Sequence, residues 1–284
     1  MTVPGVVGVL GGGRMGAGIA HAFLLAGSRV QVVERDTESA DAARERVLAA
    51  LAVSVQRGDL ADAAEAATAL EAGTDAAAFS DAGLVIEAVP EDRRLKIDAL
   101  TRIETAVGDH AVLATNTSSI SVDALADALA RPERFLGLHF FNPVPASRLV
   151  EVVLGDRTSP DVVSSAREWV TALRKTPVVV RDSPGFASSR LGVMLGLEAI
   201  RMLEEGVAEP ADIDAAMELG YRHPMGPLRT TDVVGLDVRL GIAEELAREL
   251  GPRFEPPALL RRMVAEGKLG RKSGEGFYVW NEER

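Results

Sequence analysis

The feature that most constrains this 284-residue chain is its start. An apolar, β-branched run, Val6-Val7-Gly8-Val9-Leu10, leads directly into Gly11-Gly12-Gly13-Arg14-Met15-Gly16. A helical pattern then runs to Ala26 and closes on Gly27, and a second short run, Val30–Val33, ends at Glu34. Strand, glycine turn, helix, strand and carboxylate in that order make a βαβ unit of the Rossmann type. Gly11 permits the tight turn, Gly13 lets a phosphate approach the backbone, and Gly16 lets the helix pack on the strand. The helix N-terminus adds unpaired N–H groups and a positive dipole end, so the segment predicts dinucleotide binding. Glu34, eighteen residues past Gly16, is placed to accept hydrogen bonds from ribose hydroxyls. It would repel a ribose 2′-phosphate, which favours NAD over NADP, although Arg35 beside it could accept that phosphate.

Beyond this unit, short β-branched runs alternate with helical patterns as far as about Arg181. Candidate strands are Leu84–Ala88, Val112–Thr115, Phe135–Phe140, Val150–Val153 and Thr176–Val180. Between the second and third strands lies an alanine-rich stretch over about 38–72. It reads as a helical hairpin broken near Arg57-Gly58-Asp59. After Asp182-Ser183-Pro184-Gly185 only helical patterns remain. The expectation is α/β: a Rossmann-type domain over 1–183 with an inserted hairpin, then an all-α domain over 184–284.

Composition narrows the function. Forty-two acidic against 31 basic residues give a net charge of −11, a poor surface for nucleic acid. No cysteine is present, which removes thiolate catalysis and disulfides, and four scattered histidines show no metal-ligand spacing. His21, His110 and His223 carry no further pattern. No leader or membrane-length apolar run is visible, so a cytoplasmic location is expected. Only four lysines occur, Lys96, Lys175, Lys268 and Lys272.

A second constellation joins His139, in Leu136-Gly137-Leu138-His139-Phe140-Phe141-Asn142-Pro143, to Glu151, in Arg148-Leu149-Val150-Glu151-Val152-Val153. Each is a lone ionisable group in an apolar strand-like run, on either side of a proline-containing loop. They read either as a buried structural pair or as a base with its orienting carboxylate. Hydride removal from an alcohol carbon needs such a base.

Several segments together resemble the L-3-hydroxyacyl-CoA dehydrogenase family over essentially the whole chain. They are the glycine-rich start, Thr115-Asn116-Thr117-Ser118-Ser119, His139–Pro145, Asp182–Phe186, Pro224-Met225-Gly226-Pro227 and Gly270–Tyr278. In its short length and lack of a fused hydratase the chain is similar to the bacterial 3-hydroxybutyryl-CoA dehydrogenases. The resemblance implies that His139 is the catalytic base, that Glu151 orients it, and that Ser118 contacts substrate oxygen and the nicotinamide side. It also implies cofactor contacts at Met15, Glu91, Lys96, Asn142 and Lys272, in addition to Gly11, Gly13, Gly16 and Glu34. Asn142 and Ser189 fall on the substrate side. A homodimer formed through the C-terminal domain and a place in fatty acid metabolism follow from the same likeness.

Two departures stand out. The family usually carries an asparagine where this chain has Ser189, in Pro184-Gly185-Phe186-Ala187-Ser188-Ser189-Arg190. The hairpin, where the family commonly places lysines near the CoA phosphates, has none. It has Arg44, Arg46 and Arg57 against seven acidic residues over 41–75. Three readings follow: oxidation of a (3S)-3-hydroxyacyl-CoA, the same hydride chemistry on a carrier-bound group or a free hydroxy acid, and an NAD-binding protein without turnover.

Overall fold

A computed structural model describes residues 2–280. The chain divides into two compact units, Met1–Ser183 and Pro184–Arg284.

The first unit is built on one eight-stranded sheet in the order β3-β2-β1-β4-β5-β6-β7-β8. The strands are β1 Val6–Leu10, β2 Arg29–Val33, β3 Leu70–Gly73, β4 Leu84–Glu87, β5 Val112–Thr115, β6 Phe135–Phe140, β7 Leu149–Leu154 and β8 Thr176–Arg181. All neighbours pair parallel except β6 and β7. Helices α1 Arg14–Leu25, α2 Thr37–Gln56, α3 Ala63–Thr68, α4 Arg93–Ala106, α5 Val122–Ala126 and α6 Pro160–Ala172 connect them. The central strands are buried nearly throughout, hence their continuous Val/Ile/Leu runs rather than an alternating pattern. Chain order reverses between β1 and β4, and that reversal opens a crevice at the carboxyl ends of the strands.

The alanine-rich stretch differs from the hairpin that its composition predicts. Its first helix, α2, runs twenty residues from an Asp36 cap that accepts from Ser39 N at 2.7 Å. Its second, α3, is only six residues long, and Leu70–Gly73 turns into the sheet as β3, paired parallel with β2. An edge strand this short is set by its partner, not by local preference.

The second unit is helical: α7 Ser188–Glu204, α8 Pro210–Tyr221, α9 Pro227–Val234, α10 Leu236–Leu250 and α11 Ala258–Ala265. Val193, Leu197, Ile200, Leu228, Leu236, Leu246 and Leu260 form its core. Two buried aspartates fix its ends. Asp214 accepts from Leu228 N, Arg229 N and Tyr278 Oη, whereas Asp232 accepts from Phe277 N, Tyr278 N and Trp280 Nε1. Among the described residues no helix is long and apolar enough to cross a membrane, and no cluster of His, Asp and Glu could hold a metal.

Candidate active site

The glycine turn follows β1 directly. Gly11 adopts φ +94°, and a side chain on it would meet the Ala88 carbonyl at 2.9 Å. A side chain on Gly16 would lie 1.8 Å from Gly11 O, which only glycine avoids. Above Gly13, at the start of α1, the space is open to 4 Å. Glu34, at the end of β2, accepts from Gly12 N at 2.7 Å, so its carboxylate is fixed beside the turn. Arg35 turns away and pairs with Asp36 at 3.0 Å. Arg46 of α2 donates to Gly12 O at 3.3 Å, bringing a guanidinium to the turn. Met15 is half-buried on α1. A turn with an open backbone face, a helix N-terminus and a fixed carboxylate fits the pyrophosphate and ribose of a dinucleotide.

Across the crevice, Lys96 is 1% exposed on α4 and lies 2.8 Å from Glu87 and 3.2 Å from Glu91. Burial raises the pKa of Glu87 above the ordinary carboxylate range, against the pull of Lys96 and the Thr115 hydroxyl. Burial acts the same way on Glu91, but there Lys96, Thr117 and Ser118 N outweigh it and the pKa falls. Glu91 accepts from Thr117 Oγ1 at 2.6 Å, Ser118 N at 2.8 Å, Ser119 N at 3.0 Å and Ser118 Oγ at 3.3 Å. Lys96 and Glu91 thus brace the turn after β5 that carries Ser118. Glu87 and Thr117 belong to this network and went unread in the sequence. The one signal for Glu87 was a carboxylate closing an apolar run, as Glu34 does.

His139, near the carboxyl end of β6, and Glu151 on β7 are direct cross-strand partners. Facing residues of an antiparallel pair point to the same side of the sheet. Here His139 Nδ1 lies 2.8 Å from Glu151 Oε2, with the two residues 6% and 0% exposed. The Phe141 ring packs against the imidazole at 4.4 Å. Asn142 is exposed in the loop between the two strands. That loop is held by Lys175, whose buried Nζ donates to Val144 O at 2.6 Å and also to Ser147 O. Lys175 is a further site-shaping residue that the sequence did not reveal.

The glycine turn, Glu34, Glu91, Lys96, Ser118, Asn142, His139 and Glu151 all belong to the first unit. Ser189 and Lys272 belong to the helical one. Ser189 lies half-buried in the first turn of α7, and Lys272 Nζ sits 2.6 Å from the Asp237 carboxylate.

Both units resemble known proteins. Residues 6–183 match the model of the 3-hydroxyacyl-CoA dehydrogenase NAD binding domain, and residues 185–280 match that of the 3-hydroxyacyl-CoA dehydrogenase C-terminal domain. The chain is 43% identical over 275 residues to a probable 3-hydroxybutyryl-CoA dehydrogenase of Deinococcus radiodurans, covering 96% of this chain and 99% of that one. Identity is also 43%, over 279 residues, to the 3-hydroxybutyryl-CoA dehydrogenase of Mycobacterium tuberculosis, covering 96% and 98%. The crystal structure of (S)-3-hydroxybutyryl-CoA dehydrogenase from Ralstonia eutropha matches with a TM-score of 0.93 at 38% identity, over 98% of this chain and 100% of that one. With both halves matched in order, the chain belongs to the 3-hydroxyacyl-CoA dehydrogenase family.

Proposed function

We propose that this chain is an NAD-dependent dehydrogenase that interconverts a (3S)-3-hydroxyacyl thioester and its 3-oxoacyl thioester, with a short acyl group such as 3-hydroxybutyryl-CoA. The observation that carries this reading is the buried His139–Glu151 pair, set at the same carboxyl edge of the sheet as the glycine turn. The names of the relatives support the substrate.

The glycine turn Gly11–Gly16, with Met15, would hold the cofactor phosphates, and Glu34 would take the adenosine ribose. Asn142 and the braced Ser118 turn would stand on the nicotinamide side, and Lys272 would be a further cofactor contact. Bound NAD would supply the acceptor for the hydride that leaves C3 with its electron pair. With Nδ1–H bonded to Glu151, His139 presents Nε2 as the lone pair that takes the C3 hydroxyl proton. Glu151 steadies the imidazolium as it forms. Ser118 and His139 then donate to the new carbonyl oxygen.

The same reading extends to a homodimer formed through the helical unit and to a cytoplasmic protein of fatty acid metabolism. Leu191, Leu219 and Tyr221, exposed apolar groups of that unit, support the first. A second reading is favoured by the lysine-free hairpin: the same chemistry on a carrier-protein-bound or free hydroxy acid. Both are tested by offering 3-hydroxybutyrate as the CoA thioester, the carrier thioester and the free acid, with NAD or NADP, and following NADH or NADPH absorbance. The proposal expects reduction with the CoA thioester and NAD; reduction only with another form would replace it.

A further inference from the structure

Helix α1 carries Gly16 in its first turn and a second glycine, Gly18, two residues on. Glycine inside a helix is less favourable than alanine, and the rest of this helix is rich in alanine and leucine. An interior glycine in such a setting has a packing reason. Here the reason is the loop between β6 and β7. A methyl group on Gly18 would lie 2.9 Å from both Cβ and Cγ2 of Val144, closer than carbon atoms pack. Apart from α1 itself, Val144 supplies every atom nearer than 3.8 Å.

Val144 is 2% exposed and stands five residues past His139 and two past Asn142. It belongs to the same apolar cluster as Ala17, Ile19 and Phe140. Branching at Cβ makes its side chain stiff. Its main chain is fixed as well, since Lys175 Nζ donates to Val144 O at 2.6 Å. Beside it, Pro143 O accepts from Ala146 N at 3.1 Å and Ser147 N at 3.0 Å. Helix α1 has no room to retreat, because Gly16 already lies against Gly11 O where a side chain would not fit. The loop therefore rests directly on the backbone of α1, and both belong to the first unit.

We propose that Gly18 is a positioning residue. By presenting bare backbone to Val144, it seats the loop that follows His139 and carries Asn142 on the helix that begins at the glycine turn. The seat fixes His139 and Asn142 relative to that turn, and a side chain on Gly18 displaces the loop, which has no strand to hold it. The proposal rests on the dehydrogenase reading above and adds a residue that touches neither substrate nor cofactor.

The test is a double-mutant cycle of Gly18→Ala and Val144→Gly. It is read in kcat for 3-hydroxybutyryl-CoA, in the NAD dissociation constant, and in the imidazole proton resonance of His139, which His139→Gln identifies by its loss. In the wild-type background Gly18→Ala should lower kcat about tenfold or more, the scale on which small displacements impair a reaction geometry. NAD affinity should change by less than about threefold, because the glycine turn and Glu34 are untouched. In the Val144→Gly background, where the methyl group has room, the same change should cost less than about twofold. The His139 resonance should follow, shifted by Gly18→Ala in the first background and unshifted in the second. A general loss of stability would not depend on Val144 in this way. Val144→Gly alone empties the seat and should lower kcat with NAD binding kept, an arm that stands even if Gly18→Ala does not fold. Equal losses in the two backgrounds, loss of NAD binding in step with kcat, or wild-type kcat in either single variant would overturn the proposal. If the wild type oxidises no thioester, the dehydrogenase reading falls, and the resonance still decides the seat.

Discussion

His139 Nδ1 and Glu151 Oε2 are 2.8 Å apart because β6 and β7 pair antiparallel with these two residues in direct register. A one-residue slip of either strand would turn one side chain to the opposite face. Replacing Glu151 by Gln keeps the shape but removes the charge that steadies a protonated imidazole. The expected loss in kcat is about 10²-fold or more, the scale of acid–base assistance, with NAD affinity unchanged. Steady-state kinetics and nucleotide titration check both halves of that statement.

Lys175 should act on the reaction without touching it. Its buried Nζ donates to Val144 O and Ser147 O in the loop that joins the two strands. Lys175→Met leaves these carbonyls without their donor, at about 2 kcal/mol, or about 6 °C in melting temperature for a unit of this size. Turnover should fall along with it. Unchanged stability and unchanged kcat would show that the loop holds its shape alone.

Glu91 links pH to the Ser118 turn. Its folded pKa lies below the unfolded value, so the stability it contributes is fully present above the ordinary glutamate pKa of 4.5. That stability is lost as pH falls through the folded value. The melting-temperature gap between wild type and Glu91→Gln should therefore stay constant from pH 7 to 5 and close under stronger acid. A gap that widens in acid would contradict the assignment.

Cofactor choice rests on Glu34, held by Gly12 N, and on Arg35, which is turned towards Asp36. The wild type should favour NAD over NADP by about 100-fold in kcat/KM, and Glu34→Ser should narrow that ratio by about tenfold or more. Equal use of both cofactors by the wild type would count against this role for the carboxylate.

What the sequence made legible follows from how local each signal was. The glycine turn is encoded within a few residues, because Gly11 and Gly16 have no room for a side chain. His139 and Glu151 were visible as lone charges in apolar strands, but only the β6/β7 register turns them into a pair. Lys96 was singled out only through the resemblance, and its pairing with Glu87 was hidden because the turn between β4 and α4 brings the two together. Strand β3 was hidden for a related reason: Leu70-Glu71-Ala72-Gly73 has little preference of its own and is extended by pairing with β2. Lys175 binds two backbone carbonyls, and backbone carbonyls leave no trace in a sequence.

The most direct test of the central claim is His139→Gln, measured in one preparation for NAD binding and for 3-hydroxybutyryl-CoA oxidation. The account predicts an unchanged NAD dissociation constant, because the glycine turn and Glu34 are untouched, and a kcat lower by about 10³-fold or more, as expected for loss of a general base. Near-normal turnover, or loss of NAD binding and turnover together, would contradict it.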